Sequence, residues 1–247
     1  MATYYLDNNV LVEIEHGNID ISSFLSHHNS KYYFSPSHID ELIEGERIGK
    51  LSVENRLKLI EDLASNNCIM SGFSNPELCV RSPLLVYQDA KIPIATIIRQ
   101  LTNHSISNLI LDRDEFLNII RMRKIEVNNI PSQDILIKLN DILSKYMNIS
   151  ISGLLLRSEA IGRTVFGTLF NLLDLACYYK DKQTEHSNIA RFHDASHAYY
   201  AQLCDFFVSE DKRMRYKTKA VYSYLGITTS VLSFQLLCLQ LETPMSR

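Results

Sequence analysis

Glycine and proline are scarce in this chain, which has eight glycines and six prolines among its 247 residues. Long flexible linkers are rich in these residue types, so the sequence predicts none. Hydrophobic residues make up 46% and charged residues 21%, proportions typical of a soluble globular protein rather than a disordered or fibrous one. The length fits one large domain or a domain that carries a sizeable insertion.

Paired cysteines are also missing. The five cysteines are scattered, with neither a CxxC pair nor the His spacing of a zinc finger: Cys68, Cys79, Cys177, Cys204 and Cys238. This pattern predicts buried free thiols in a reducing compartment. The first residues, MATYYLDNNVLVEIE, lack the charged and apolar regions of a secretory signal, so we expect a cytoplasmic protein.

The sequence has no apolar helical run that matches a membrane span of about 20 residues. Its most apolar stretch, residues 154–179, contains charged side chains at Arg157, Glu159, Arg163 and Asp174. We therefore expect no interaction with a membrane through a spanning helix.

A surplus of basic residues is absent as well, since the formal net charge is −3. The chain as a whole does not attract nucleic acid, so a phosphate-binding surface requires a local cluster of Lys and Arg. One such cluster follows Asp211 and consists of Lys212, Arg213, Arg215, Lys217 and Lys219. It could contact a phosphate backbone, or it could be an ordinary solvated helix face.

The N-terminal part of the chain alternates short apolar runs with helical patterns. Residues 3–6 predict a strand that ends at Asp7, because the polar sequence DNN interrupts the apolar run before a helix. Residues 31–34 predict a second strand. The following sequence SPS, residues 35–37, supplies a helix start and puts Glu41 in the first turns of that helix.

Residues 76–184 carry mainly helical signals. The clearest is the run of helically spaced apolar residues between positions 135 and 147. Residues 154–179 are apolar nearly all round and predict one buried helix. We therefore predict a core made of residues 1–75 and 185–247, with residues 76–184 as a large, mostly helical insertion or subdomain.

The last part of the chain places two more acids beside predicted elements. The segment HDASHA, residues 193–198, predicts a helix that opens near Asp194. Residues 205–209 predict a buried strand that ends just before Asp211. A helical or turn segment follows, and residues 227–232, which are rich in β-branched side chains, predict a final strand.

Four acidic residues thus lie next to predicted strand ends or helix starts: Asp7, Glu41, Asp194 and Asp211. The carboxyl ends of strands in an α/β sheet border a crevice where ligands bind, so acids placed there converge although they are distant in sequence. Helix N-termini also favour anions. Crowded carboxylates repel one another unless a cation neutralises them, which makes these residues candidate metal ligands.

The order of these motifs resembles the PIN-domain family of metal-dependent nucleases. Residues 4–12, YYLDNNVLV, resemble its opening strand with the first Asp, and residues 35–45, SPSHIDELIEG, resemble its second motif with Glu41. Residues 193–213, HDASHAYYAQLCDFFVSEDKR, are similar to the stretch with its third Asp, a DxxH helix that here contains His197, and the strand ending in a fourth Asp. The long segment between the second and third motifs departs from the family.

The resemblance implies an α/β fold with a PIN-like central parallel sheet flanked by helices. It also implies a hydrolase that cuts phosphodiester bonds, with RNA favoured over DNA as the substrate. Mg²⁺ or Mn²⁺ would be held directly or through water by four carboxylates, those of Asp7, Glu41, Asp194 and Asp211. Whether the cut is endonucleolytic or exonucleolytic stays open.

Each of these residues also has an ordinary structural interpretation. Asp7 and Asp211 could be turn acids, and Asp194 could cap its helix. Glu44 could replace Glu41 as the metal ligand. His197, one turn after Asp194, is expected to be supporting or structural, because Mg²⁺ and Mn²⁺ prefer oxygen ligands.

Other function classes stay open at this point. A PIN-like fold without activity could bind RNA or protein, and the helical insertion could bind a protein partner or a second copy of the chain. Asn8 or Ser209 could orient water or phosphate in an active enzyme. A phosphatase on a different α/β fold is disfavoured, because Asp7 does not begin a DxD pattern.

Overall fold

The computed structural model describes residues 1–20, 22, 30–47, 49, 52–72, 74–91, 113–122, 126–158, 160–180 and 187–242. The strands in these ranges are β1 (Ala2–Leu6), β2 (Ser30–Tyr33), β3 (Asn67–Ser71), β4 (Pro76–Val80), β5 (Phe206–Val208) and β6 (Ser230–Leu232). The helices are α1 (Asn8–Glu15), α2 (Pro36–Arg47), α3 (Val53–Ala64), α4 (Pro83–Ala90), α5 (Arg113–Met122), α6 (Ser132–Tyr146), α7 (Ile151–Arg157), α8 (Arg163–Leu175), α9 (Ser187–Ala201), α10 (Lys212–Leu225) and α11 (Phe234–Glu242).

A four-stranded parallel sheet with the order β2-β1-β5-β6 lies at the centre of the fold. β3 joins it through a parallel bridge between Phe34 and Cys68, and pairs with β4 in an antiparallel hairpin. The chain builds outward from β1 to β2 on one side and to β5 and β6 on the other. The switch point of the sheet is therefore between β1 and β5, the place where open α/β sheets bind ligands.

The alternating directions of successive side chains along the strands divide the core into two layers. Tyr5 and Phe207 belong to one cluster of buried side chains, whereas Tyr4 and Val208 belong to another. Successive side chains of a strand point to opposite faces of the sheet, so the two clusters cover its two faces. The predicted class, an α/β fold with a central parallel sheet flanked by helices, is confirmed.

The helices segregate between these faces. Buried side chains of α5 to α10 lie in the cluster of Tyr5, where α6 packs against α10 and α8 against α9. Buried side chains of α1 to α4 and of α11 lie in the cluster of Tyr4. None of the described helices is long and apolar enough to cross a membrane. The division of the chain at residues 75 and 184 stays a prediction.

Two expectations within residues 76–184 differ from the structure. Residues 76–80 form β4 instead of belonging to a helical stretch, because they pair along their whole length with β3. Residues 154–179 do not form one helix, since α7 ends at Arg157 and α8 begins at Arg163. Gly162 between them has φ 56°, a left-handed conformation that glycine adopts readily and that an α-helix cannot continue through.

The cysteines are free, as expected, but they are not all buried. Cys68 and Cys204 are buried, whereas Cys177 is exposed. Cys177 also has φ 64°, so the backbone at this position is in the left-handed region.

Candidate metal centre

The carboxyl edge of the sheet brings together residues that are far apart in the sequence. Asp7 follows β1 directly and caps α1, where its Oδ1 accepts a hydrogen bond of 2.8 Å from the backbone N–H of Asn8. Ser209 follows β5 in the same way. Because β1 and β5 flank the switch point of the sheet, Asp7 and Ser209 meet there.

Asp7 is buried, with 5% of its surface exposed. Its Oδ2 accepts hydrogen bonds of 2.7 Å from the side-chain amide of Asn9 and 2.7 Å from the hydroxyl of Ser209. Burial raises the pKa of Asp7 above its ordinary value, and the Glu41 carboxylate adds to the rise, while His197 opposes it. A positive charge close to a buried carboxylate with a raised pKa stabilises its charged form.

Glu41 lies in the second turn of α2, as predicted, and its two carboxylate oxygens have different partners. Nε2 of His197 donates to Oε1 at 2.9 Å, and the side-chain amide of Asn8 donates to Oε2. Burial alone would raise the pKa of Glu41, but His197, through its charge and this hydrogen bond, lowers it to about 2. The same His197 nitrogen lies 3.9 Å from Oδ1 of Asp7, so two carboxylates flank one imidazole.

A buried arginine lies behind Asn8. Arg56 of α3 is fully buried, and its guanidinium donates to both carboxylate oxygens of Glu15 at 2.5 and 2.6 Å. A third N–H of Arg56 donates to Oδ1 of Asn8. Since the Asn8 oxygen accepts from Arg56, its NH₂ group is the end that faces Glu41, and the orientation of the amide is fixed.

His197 of α9 extends the network away from the carboxylates. Burial opposes its protonation, but Glu41 and Asp7 outweigh burial and raise the pKa of His197 above its ordinary value. Its Nε2 lies 2.9 Å from Oε1 of Glu41, and its Nδ1 forms a hydrogen bond of 2.7 Å with the hydroxyl of Tyr5. Tyr5, whose pKa is raised by burial, then donates to Oγ of Ser35 at 2.6 Å. Both acids thus favour the charged form of His197.

A second histidine, His38, packs edge-on against His197 with the ring centroids 4.8 Å apart. Burial, with the charge of His197 as a smaller cause, lowers the pKa of His38 to about 3. The neutral ring donates from Nε2 to the Leu6 carbonyl at 2.7 Å and accepts at Nδ1 from the Ser35 backbone N–H at 3.1 Å. His38 therefore fixes the start of α2 against the end of β1.

Asp194 is in the interior of α9 and not near its start, so this part of the prediction is wrong. The helix begins at Ser187, because the residues before Asp194 include no glycine or proline that would end it. The side chain of Asp194 is half-buried. It lies one turn before His197, and its charge contributes to the raised pKa of that histidine.

Asp211 is exposed and caps the N-terminus of α10. Its Oδ1 accepts from the backbone N–H groups of Arg213 and Met214 at 2.7 and 3.4 Å. Its own backbone N–H donates to Oγ of Ser209 at 3.2 Å, and that hydroxyl donates to Asp7. Asp211 is thus connected to Asp7 through Ser209.

Glu44, the alternative to Glu41, lies one turn further along α2. Its Oε2 is 3.2 Å from Nε2 of His193, and its side chain is 43% exposed. Glu41 is the acid of this pair whose charge raises the pKa of Asp7.

The described residues contain no group of three or more His, Cys, Asp or Glu side chains arranged to hold a metal ion. The chemistry of the donors nevertheless fits a hard divalent cation. Mg²⁺ keeps several of its waters and is commonly bound through one or two carboxylates together with substrate phosphates. Asp7 and Glu41 supply two carboxylates that approach the same His197 nitrogen, and burial with the Glu41 charge raises the pKa of Asp7, so a nearby cation would favour its charged form.

Comparison with known proteins adds nothing to this geometry. The chain matches no family model, no curated protein and no solved structure. The resemblance to the PIN-domain family therefore stays an expectation from the sequence motifs.

Two groups that hold the site in place are not apparent from the sequence motifs. Tyr5 lies in an apolar strand pattern that gives no sign that its hydroxyl is a partner of His197. Arg56 shares helical spacing with the apolar residues Ile60 and Leu63 of α3. A charged residue on an apolar helix stripe needs a buried partner, which is the signal that could have identified it.

Proposed function

We propose that the chain is a divalent-metal-dependent nuclease with a PIN-like fold that hydrolyses phosphodiester bonds in RNA. The main support is the meeting of Asp7 and Glu41 at the switch point of a parallel sheet, where both carboxylates approach the same His197 nitrogen. The order of the acidic motifs, which resembles the PIN-domain family, favours the same chemistry.

Asp7 and Glu41 are the proposed ligands of Mg²⁺ or Mn²⁺, and Asp194 and Asp211 are proposed to act through water. An ion of this kind activates a water for attack on phosphorus and stabilises the leaving oxygen. Hard cations prefer the carboxylate oxygens that these four residues supply.

The surrounding residues set the orientation of these carboxylates. Ser209 and Asn9 both donate hydrogen bonds to Oδ2 of Asp7, and these bonds fix the orientation of its side chain at the carboxyl end of β1. Asn8, itself fixed by Arg56, holds Oε2 of Glu41. Such preorganisation lowers the cost of binding a charged substrate, because the site does not reorganise when the charge arrives.

The free cysteines support a cytoplasmic location for this activity, because free thiols persist in reducing compartments. We also propose that residues 76–184 bind a protein partner or a second copy of the chain. In support, Ile137 and Leu156 on its helices are 54% and 80% exposed.

The test is cleavage of labelled RNA and DNA in Mg²⁺, Mn²⁺ and EDTA. Wild type should cut RNA with either metal and not in EDTA, and Asp7→Asn should abolish cutting because the amide keeps the shape but removes the charge. Asp141→Asn, which changes an exposed acid of α6, is the matched control and should cut like wild type. Cleavage that survives EDTA, or a fully active Asp7→Asn variant, contradicts the proposal.

A second candidate is a PIN-like module that binds RNA or protein without cutting. It is favoured by the present partners of the acids, since both oxygens of Glu41 accept hydrogen bonds and Asp211 caps a helix. Wild-type protein that binds Mn²⁺ but leaves RNA and DNA intact under all of these conditions would support this candidate over the nuclease.

A further inference from the structure

Helix α10 is the most basic element of an acidic chain. Its sequence KRMRYKTKAVYSYL contains five Lys and Arg residues and no acid, while the whole chain has a net charge of −3. Lys212 and Arg213 occupy its first turn, where the positive end of the helix dipole disfavours cations. The helix dipole therefore does not account for the cations at these two positions.

Burial separates the basic residues of α10 into two groups. Lys217 is fully buried, and its Nζ lies 2.7 Å from Oδ1 of Asp174, so the expectation that it belongs to a phosphate-binding cluster is wrong. Lys212, Arg213 and Lys219 are exposed. The solvent-facing side of the helix thus carries a row of positive charges.

A pair of stacked tyrosines borders this row. Tyr216 of α10 and Tyr179 lie with ring centroids 4.1 Å apart and an angle of 10° between the planes, and both are half-buried. Nζ of Lys212 lies 5.8 Å from the Tyr216 centroid. The row of charges and the aromatic pair therefore form one continuous surface.

The backbone that presents Tyr179 is strained. Cys177 and Tyr179 have φ 64° and 44°, which non-glycine residues rarely adopt. The Tyr179 N–H donates to Oδ1 of Asn128 at 2.8 Å, which helps to hold this conformation. Strain of this kind persists where surrounding contacts enforce it and clusters at binding sites.

The basic surface begins at the acidic site. Asp211 caps α10 and is connected to Asp7 through the Ser209 hydroxyl. Arg215 also contacts this point, because its guanidinium donates to the Ser209 carbonyl at 2.6 Å. The start of α10 thus lies beside the carboxylate of Asp7 at the end of β1.

We propose that this surface binds a single-stranded segment of nucleic acid, with Lys212, Arg213 and Lys219 on its phosphates and the Tyr179–Tyr216 pair against a base. The inference depends on the proposed nuclease function and names its substrate class. A base reaches an aromatic side chain only when it is unstacked, as in a single strand, while phosphates supply the charge that the lysines require. An acidic protein would match the charges but leave the tyrosine pair without a role.

The experiment measures binding in EDTA, so that it does not depend on cleavage. Fluorescence anisotropy would follow labelled single-stranded RNA and DNA of about 12 nucleotides, a length in the range of known single-strand sites, and the corresponding duplexes. The variants are Tyr216→Leu, Tyr216→Phe and the double variant Lys212→Gln with Lys219→Gln. Lys58→Gln, at an exposed position of α3, is the matched control.

Wild type should bind single strands more tightly than duplexes, and the RNA and DNA arms show whether the 2′-hydroxyl contributes. Tyr216→Leu should weaken binding on the order of tenfold, while Tyr216→Phe, which keeps the ring, should retain it. In the double lysine variant, the slope of log K against the logarithm of the salt concentration should become shallower by about 0.7 for each lost phosphate contact. It should melt at or above the wild-type temperature, because the Lys212 charge leaves the positive end of the helix dipole.

Three outcomes overturn the inference: equal or tighter binding of duplexes, equal losses in Tyr216→Leu and Tyr216→Phe, or an unchanged salt slope in the double lysine variant. The lysine result stands even if Tyr216→Leu fails to fold, since both lysines are exposed. Single-strand binding without cleavage in Mg²⁺ or Mn²⁺ would reject the nuclease and leave this surface as a binding site.

Discussion

Replacement of Arg56 by methionine should destabilise the protein, because the guanidinium is fully buried and makes three hydrogen bonds. Removing one partner of a buried ion pair costs about 3–5 kcal/mol. Glu15 keeps 21% exposure of its side chain and can regain water, so the lower end of that range applies. We expect a loss of about 3 kcal/mol, which lowers the melting temperature by roughly 6–12 °C for a chain of this size.

The measurement is urea unfolding followed by circular dichroism, arranged as a double-mutant cycle with Glu15→Gln. The two positions should show a coupling energy of at least about 1 kcal/mol, since they share two hydrogen bonds. Arg56→Lys is the matched control and should be intermediate, because lysine keeps the charge but not the planar fork. A cost below about 1 kcal/mol, or additive single changes, would refute the reasoning.

Three further predictions concern the site and the core. Asp194→Asn should abolish metal-dependent RNA cleavage while the fold is kept, because the amide keeps the size of the side chain but removes the charge that a hard cation needs; an RNA cleavage assay that finds wild-type rates contradicts this. Lys217→Met should cost about 3 kcal/mol in urea unfolding, since it leaves Asp174 buried beside an apolar side chain, and adding Asp174→Leu should recover most of the loss; a double variant no more stable than the single one contradicts this. The contribution of Glu41 to stability should fade below about pH 4.5, because its folded-state pKa is lowered to about 2. That of His197 should fade above about pH 6.5, because its pKa is raised. Melting temperatures across this pH range test both, and Glu41→Gln should flatten the two flanks.

The positions of β1, β2, β5 and β6 could be predicted because each lies in a short apolar or β-branched run, whereas β4 lies in a segment that was predicted to be helical. The run 3–6 lies in β1 with Asp7 after it, and the run 205–209 contains β5. These signals are local in the sequence. Helix limits were harder, since the start of α9 depends on the absence of a breaker before Asp194, and not on a capping residue.

The partners of the acids could not be predicted, because they are fixed by tertiary packing. Glu41 is hydrogen-bonded to His197, which lies 156 positions away in the sequence, and the local sequence around either residue does not indicate this pairing. The same applies to Lys217, which belongs to a basic run by sequence but faces inward toward Asp174. The sequence shows that Lys217 is charged, but its buried contact with Asp174 follows from the packing of α8 against α10.

The hydrogen bond from Ser209 to Asp7 joins positions 202 residues apart, and β1 pairs with β5 along the same line. During synthesis the N-terminal residues leave the ribosome first and fold as far as their partners allow. A nascent chain has Asp7 from the beginning, but it lacks β5, which pairs with β1, and Ser209, whose hydroxyl donates to Asp7. Under the proposed function, an incomplete nascent chain is therefore unable to cleave the messenger RNA from which it is being translated.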